Sequence, residues 1–309
     1  MSARGAVLGV DVGGTTVRGA VVPAGAGAAP IVARVETGAR RGPDAVAAVV
    51  LDLVEGLVGR AGERGVAVTG AAVATLGVVD ESAGVVRAST IGWRDLPLAR
   101  LVAERTASPV RLVNDVRSGA RAELDLGAGA GLASFAFAAV GTGLSVALVL
   151  GGEVHGGDAW AAGEVGQPAF GPAGEPLERR CSCRTVEARY AEATGCQVPA
   201  SEVLRRAAGG EDPVATAVRD DAVAALAHAL SWVVTVGDPG PIVVGGGLGE
   251  AGEHLLVPLA AALDRALGWR PAPRLRPAAL GDRAGLVGAL LHAADVAHLS
   301  PADLHLAGV

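Results

Sequence analysis

The 309-residue chain contains no lysine; all 26 of its basic side chains are arginine. That absence excludes a lysine-dependent P-loop, a kinase built around a strand lysine, and any Schiff-base mechanism. A phosphate site here must use backbone N–H groups, hydroxyls, arginine or a metal. Three cysteines do not make a disulfide framework. There is no basic run and no interleaving of aromatic with basic residues. With a net charge of −6, this argues against a nucleic-acid surface. Met1–Ala6 lacks a long apolar core and a cleavage signal, which points to a cytoplasmic protein.

One stretch, 126–152, carries no charge and is long enough to span a bilayer. Glycines interrupt it, and Thr142 and Ser145 fall near its middle. It divides instead into strands at 134–140 and 144–150 around Gly141-Thr142-Gly143. Both strands are apolar on both faces, as at the centre of a covered sheet.

The rest of the pattern is α/β, and the length suits two domains. Strands are expected at 7–12, 17–22, 31–35, 66–73, 110–114 and 242–244. Helices are expected at 44–58, 98–106, 116–124, 186–194, 212–236, 253–267 and 284–297. The first of these carries Val46, Val49, Val50, Leu53 and Leu57 on one face. A glycine-rich loop follows the strand at 66–73, and 151–184 is too rich in glycine for one regular element. Trp93, Trp160 and Trp232 are read as packing residues. Each half opens on a hairpin with a Gly-Thr tip, so a repeated half with a cleft between the copies would account for two phosphate loops.

Five motifs carry chemistry. Asp11-Val12-Gly13-Gly14-Thr15-Thr16 follows an apolar strand. Its glycines let N–H groups approach an anion, its threonines add hydroxyls, and Asp11 suits a hydrated magnesium ion. The plain alternative is a tight Gly-Gly turn. Asn114-Asp115 ends a strand and starts a helix. Asp115 is either a helix cap or a general base that takes a proton from an alcohol, with Asn114 fixing that alcohol. Gly141-Thr142-Gly143 is a second nest of N–H groups, or another hairpin turn. Glu164 lies in a loop, Ala162 to Gln167, where a glutamate is commonly just solvated. Gly245-Gly246-Gly247 follows a short strand, as at nucleotide sites or at plain close packing.

Taken in order, with Gly92-Trp93 between the first and second, these motifs resemble the ROK (repressor, open reading frame, kinase) family of sugar kinases over nearly the whole chain. The resemblance implies an actin-like, ribonuclease-H-like ATPase fold with two α/β lobes around a cleft. It places 1–116 with about 290–309 in a small N-terminal lobe and 117–289 in a large C-terminal one. It implies ATP-dependent phosphorylation of a hexose or amino-hexose, at O6, by a homodimer. By position, Asp11, Gly13, Gly14, Thr15 and Thr16 form the first phosphate loop, with Asp11 holding magnesium through water. Gly141, Thr142 and Gly143 form the second, and Gly245, Gly246 and Gly247 adjoin the adenosine. Asp115 matches the catalytic base. Asn114, Glu164, Gln167 and Glu187 match the sugar site.

The departures matter as much. The family's kinases carry a histidine where this chain has Gln167, and a three-cysteine motif that with that histidine holds structural zinc. Here the stretch reads Cys181-Ser182-Cys183-Arg184-Thr185-Val186-Glu187, and two thiolates do not fill a tetrahedral site, so zinc is not expected. Neither His155 nor Cys196 stands at the expected position. Gln167 cannot become cationic, so Glu164 and Glu187 leave negative charge that an amino sugar would complement.

Three other classes stand beside this reading. A repressor of the family would need a helix-turn-helix ahead of Asp11. A degenerate sugar-binding regulator would keep the fold without chemistry. An acetate-type kinase would use the same loops, but two acids near the acceptor would repel a carboxylate.

Overall fold

The computed structural model describes residues 4–25, 29–170, 174–306, 308 and 309. Residues 1–3, part of the N-terminal reading above, lie outside them. The chain forms two compact units. Met1–Ala122, Gly157–Ala161 and Arg283–Val309 make the first; Glu123–Gly156 and Ala162–Asp282 make the second.

The sheet of the first unit contains β1 (Arg4–Val12), β2 (Thr16–Pro23), β3 (Ile31–Glu36), β4 (Val66–Thr75) and β5 (Val110–Asn114). Their order is β3-β2-β1-β4-β5. The first three are antiparallel neighbours, and β4 and β5 run parallel to β1. Alternation along β1 sends Leu8, Val10 and Val12 to the core with Val46, Val50 and Leu57 of helix Pro43–Glu63. Val7 packs the other way, with Leu286 and Leu290 of helix Ala284–Val296. Gly9 and Gly19 let these helices close down: a Cβ would come within 2.7 Å of Leu290 on one face and 2.6 Å of Leu53 and Leu57 on the other.

The second unit repeats this plan. Its sheet contains β6 (Phe135–Val140), β7 (Leu144–Leu150), β8 (Glu153–His155), β9 (Ile242–Gly245) and β10 (Leu275–Pro277). The order is β8-β7-β6-β9-β10, with the same sequence of antiparallel and parallel pairs. Ala136, Ala138, Val140 and Val146 share a core with Leu226 and Leu230 of helix Pro213–Gly237 and with Leu255 and Leu259 of helix Glu253–Leu267. The buried carboxylate of Glu123 accepts from the N–H groups of Ala128, Ala279 and Leu280 at 2.7, 3.1 and 2.8 Å, so its charge is not left unpaired.

Several details depart from the pattern in the sequence. The glycine-rich loop after β4 folds into a small antiparallel sheet of Val78–Asp80, Val85–Ala88 and Trp93–Leu96, whose strands are too short to show a period. Helix Ala200–Ala208 and β10 were not anticipated either. The stretch 151–184 holds β8, the two-residue pair Ala169–Phe170 with Glu175–Pro176, and the one-turn helix Glu178–Cys181. Trp93 and Trp160 pack, the first buried with Nε1 donating to the Pro43 carbonyl and the second stacked on Arg117. Trp232 packs only in part: it is 59% exposed, with its ring edge-on to His228 and Nε1 donating to His228 Nε2 at 3.3 Å. The uncharged run is β6 and β7, and among the described residues no helix is long and apolar enough to cross a membrane.

Helices Asp115–Leu126 and Ala284–Val296 touch backbone to backbone in the first unit. Ser118 Oγ donates to the Gly285 carbonyl at 2.9 Å, and a Cβ on Gly288 would lie 1.9 Å from the Ser118 carbonyl oxygen. Gly288→Ala is expected to cost about 3 kcal/mol, the upper range for forcing a methyl group into a packed contact. Urea unfolding with a wild-type midpoint would contradict the crossing.

Candidate active site

In the first unit, β1, β4 and β5 run parallel and end on one edge, where Val12 pairs with Thr75 and Thr75 with Asn114. Ligands of open α/β sheets gather at this carboxyl edge. Asp11 and Asp115 both belong to it, two strand spacings or about 10 Å apart along the sheet. The Asp11 carboxylate lies against the first turn of helix Ala284–Val296: a Cβ on Gly285 would approach its three carboxyl atoms to 2.9–3.0 Å. The positive end of that helix dipole faces the acid.

The loop after β1 is held from behind. Gly13 N–H donates to the Thr16 carbonyl at 2.9 Å. Thr37, fully buried, donates its hydroxyl to the Gly13 carbonyl at 2.7 Å and its N–H to the Thr15 carbonyl at 2.9 Å. With the Gly13 carbonyl tied back to Thr37, the N–H of Gly14 on the same peptide group points the other way, and neither it nor the N–H of Thr15 donates to a protein group among the described residues. Thr15 is exposed and Thr16 half-buried. Thr37 was missed in the sequence because a single threonine after a strand carries no pattern.

At Asn114-Asp115 the cap and the acid fall on different residues. Asn114 Oδ1 accepts from the N–H groups of Val116 and Arg117, both at 3.0 Å, and its Nδ2 donates to the Gly77 carbonyl at 3.0 Å. Asn114 is therefore the group that starts helix Asp115–Leu126. Asp115 Oδ1 accepts from Val116 N–H at 2.9 Å, the residue's own N–H also pulls on the carboxylate, and Oδ2 accepts from no other residue among those described. Burial pushes its carboxyl up to about 6, against the pull of those N–H groups and of Arg117. Arg117, also missed in the sequence, is buried, binds Glu81 at 3.0 Å and donates to the Trp160 carbonyl at 3.1 Å, which ties 157–161 to the first unit.

In the second unit, Gly141-Thr142-Gly143 joins β6 to β7, closed by Gly141 N–H on the Gly143 carbonyl at 2.9 Å. Cys183 N–H takes the Gly141 carbonyl at 2.8 Å, and the N–H groups of Thr142 and Gly143 donate to no protein group among the described residues. Gly245, Gly246 and Gly247 pass beside the same loop. Gly246 has φ +78°, and a Cβ there would meet the Val140 carbonyl oxygen at 2.5 Å, so glycine is required twice over. Glu164, half-buried, lies on a turn strapped to β7: Val146 N–H donates to the Gly163 carbonyl at 2.9 Å, and Ser145 Oγ reaches Glu164 Oε1 at 3.5 Å. Gln167 is exposed beyond it. Glu187 gives Oε1 to the N–H of Ala200 at 3.0 Å, where helix Ala200–Ala208 begins.

Cys181 is buried, Cys183 half-buried and Cys196 exposed. Burial pushes both Cys181 and Cys183 up to about 12, which keeps them neutral thiols. Among the described residues no group of three or more His, Cys, Asp or Glu side chains is arranged to hold a metal.

Two five-stranded sheets of identical order, each with a glycine loop after its first strand, define the actin-like, ribonuclease-H-like ATPase fold. The chain belongs to the ROK family, which it matches over residues 7–296. It is similar to the glucokinase of Streptomyces coelicolor, with 29% identity over 92% of this chain and 96% of that protein. It is also similar to the solved ROK family glucokinase of Streptomyces griseus in complex with glucose and AMPPNP. There the identity is 27% and the TM-score 0.80, over 94% of this chain and 99% of that one. The ROK hexokinase of Thermus thermophilus is 33% identical with a TM-score of 0.73, over 93% and 97% of the two chains.

Removing the Thr37 hydroxyl in Thr37→Val leaves the Gly13 carbonyl without its buried donor. The variant is expected to lose about 1–3 kcal/mol in urea unfolding, the range for an orphaned buried polar group.

Proposed function

We propose that the chain is an ATP-dependent sugar kinase that transfers the γ-phosphate to O6 of a hexose or amino-hexose, with Asp115 as general base. The carrying observation is Asp115 itself. It is a half-buried acid at the strand edge with one oxygen pinned, the other open, and its pKa raised toward neutrality, the property a base needs at working pH. Similarity to glucokinases over nearly the full chain supports the same reading.

In this mechanism Gly13, Gly14, Thr15 and Thr16 donate to the phosphates in the first unit, and Gly141, Thr142 and Gly143 donate in the second. Gly245, Gly246 and Gly247 adjoin the adenosine, where a side chain would block close approach. Asp11 offers the oxygen chemistry that magnesium prefers, and the ion supplies neutralisation of phosphate charge. Asn114 has one amide hydrogen left for the acceptor after its three structural bonds. Glu164 and Gln167 bind sugar hydroxyls, and Glu187 does so through its second oxygen. The attacking hydroxyl gives its proton to the open oxygen of Asp115 as its oxygen bonds to the γ-phosphorus, and the bond from that phosphorus to the β–γ bridging oxygen breaks to release ADP. Most of the acceleration is alignment and charge stabilisation. Structural zinc is not expected, since Cys181 and Cys183 alone do not fill a tetrahedral site and no group of three or more ligands is arranged to hold a metal among the described residues. A cytoplasmic homodimer belongs to the same proposal. The altered stretch from Cys181 to Glu187 favours the degenerate-regulator alternative, and the retained Asp11, Thr15, Asp115 and Thr142 favour the kinase.

ATP consumption across a panel of glucose, glucosamine, kanosamine and N-acetylated hexosamines tests the activity. Turnover of none of them would end the proposal, and a clear preference for glucose would remove the amino-sugar branch. Asp115→Asn is expected to retain sugar binding and to lose roughly 10²-fold or more in kcat. The base must be ionised, so kcat/KM should rise with pH, bend near 6 and stay level above it. The folded pKa lies above its ordinary value of 3.8, so this group's contribution to stability is greatest below that value and is lost as pH rises through about 6. Asp115→Asn should therefore melt no lower than wild type at pH 7.5. Dialysis against EDTA followed by magnesium should leave both activity and melting temperature unchanged; loss of either that only zinc restores would overturn the metal assignment.

A further inference from the structure

We infer that Glu178 is a positioning residue that couples the sugar loop of the second unit to its phosphate loop. The inference rests on the kinase reading of Gly141-Thr142-Gly143 and Glu164, and goes beyond it by giving work to a residue outside both.

Glu178 opens the one-turn helix Glu178–Cys181, in the stretch whose metal-binding pattern is broken. It touches both loops. Its backbone N–H donates to the Gly166 carbonyl at 3.0 Å, within the turn that carries Glu164 and Gln167. Its carboxylate Oε2 accepts from Leu144 N–H at 3.3 Å, directly after Gly143. Both contacts are closed by glycine. A Cβ on Gly143 would stand 2.6 Å from Glu178 Oε2, and one on Gly166 would stand 3.2 Å from Glu178 Cβ and 2.4 Å from the Leu144 carbonyl oxygen.

The far end of the same short segment grips the other side of the phosphate loop. Cys183 N–H holds the Gly141 carbonyl at 2.8 Å, its Sγ donates to the Val140 carbonyl at 3.5 Å, and a Cβ on Gly247 would meet that sulfur at 3.2 Å. Ser182 N–H and Thr185 Oγ1 in turn donate to the Glu178 carbonyl at 3.0 and 3.4 Å, so the two grips belong to one braced piece. The loop is thus fastened at Gly141 and at Leu144, and Thr142 and Gly143 are presented between the fasteners. A carboxylate is the wrong charge to meet phosphate, but it is a strong acceptor for the N–H that ends the loop. A shift of the Gly166 turn on binding sugar moves Glu178 N–H, and with it the acceptor that sets the phosphate loop.

The test is isothermal titration of ADP and of the preferred sugar, each with and without the other, on the full chain and its variants. Glu178→Ala is expected to weaken ADP binding about tenfold, the scale of one hydrogen bond to a charged acceptor. It should also bring the factor by which ADP alters sugar affinity to about one, since such coupling is reciprocal. Glu178→Gln keeps an acceptor for Leu144 and should restore both quantities. Gly143 has no positive φ, so Gly143→Ala is conformationally permitted and attacks the same contact from the loop side. It should weaken ADP binding in the wild-type background and have little further effect in Glu178→Ala. Wild-type ADP affinity and coupling in Glu178→Ala would overturn this inference alone, as would a lowered melting temperature with binding unchanged. Wild-type protein that binds no ADP while remaining folded would overturn the kinase reading and this inference together.

Discussion

The structure depends on one arrangement, made twice: the carbonyl oxygens of a glycine loop are tied down so that its N–H groups face away from the protein. In the first unit Thr37 does this with a hydroxyl and an N–H. In the second, Cys183 N–H does it at the Gly141 carbonyl, while Glu178 accepts the Leu144 N–H that ends the loop. A peptide group carries a donor and an acceptor on opposite sides, so satisfying the acceptor on the protein side fixes where the donor points. On the kinase reading proposed above, these outward N–H groups are what a chain without lysine would use to meet a polyphosphate.

The duplicated sheet explains why this arrangement recurs. Each unit begins with a hairpin whose first strand becomes central once two parallel strands add beside it. The hairpin tip is thereby carried to the edge where strand carboxyl ends collect. The buried strands tolerate glycine at Gly9 and Gly19 because helices lie close over them, so part of the richness in glycine serves packing.

Much of this was legible beforehand. Long apolar periods gave β1, β2, β6, β7 and most helices within a few residues, and the Gly-Thr tips marked the loops. What stayed hidden had physical reasons. The strands at Val78–Asp80, Val85–Ala88 and Trp93–Leu96 are three or four residues long and show no alternation. The two residues that anchor the loops, Thr37 and Glu178, act through contacts with residues 24 and 34 positions away, which no local pattern encodes. At Asn114-Asp115 the sequence offered cap or base for a single aspartate, and folding gave the cap to its neighbour. Trp232 shows the opposite limit: an apolar side chain on a long helix does not reveal which faces will be covered.

The contact at Gly288 has an evolutionary corollary. One helix, Ala284–Val296, touches Asp11 at its first turn and the helix behind Asp115 at its second, with backbone against backbone. The two acids are thus members of a single rigid truss, and neither can be re-aimed without rebuilding it. On the kinase reading proposed above, adaptation toward a new acceptor is therefore channelled into the turn around Glu164 and the segment leading to Glu187, where side chains can change without disturbing that truss.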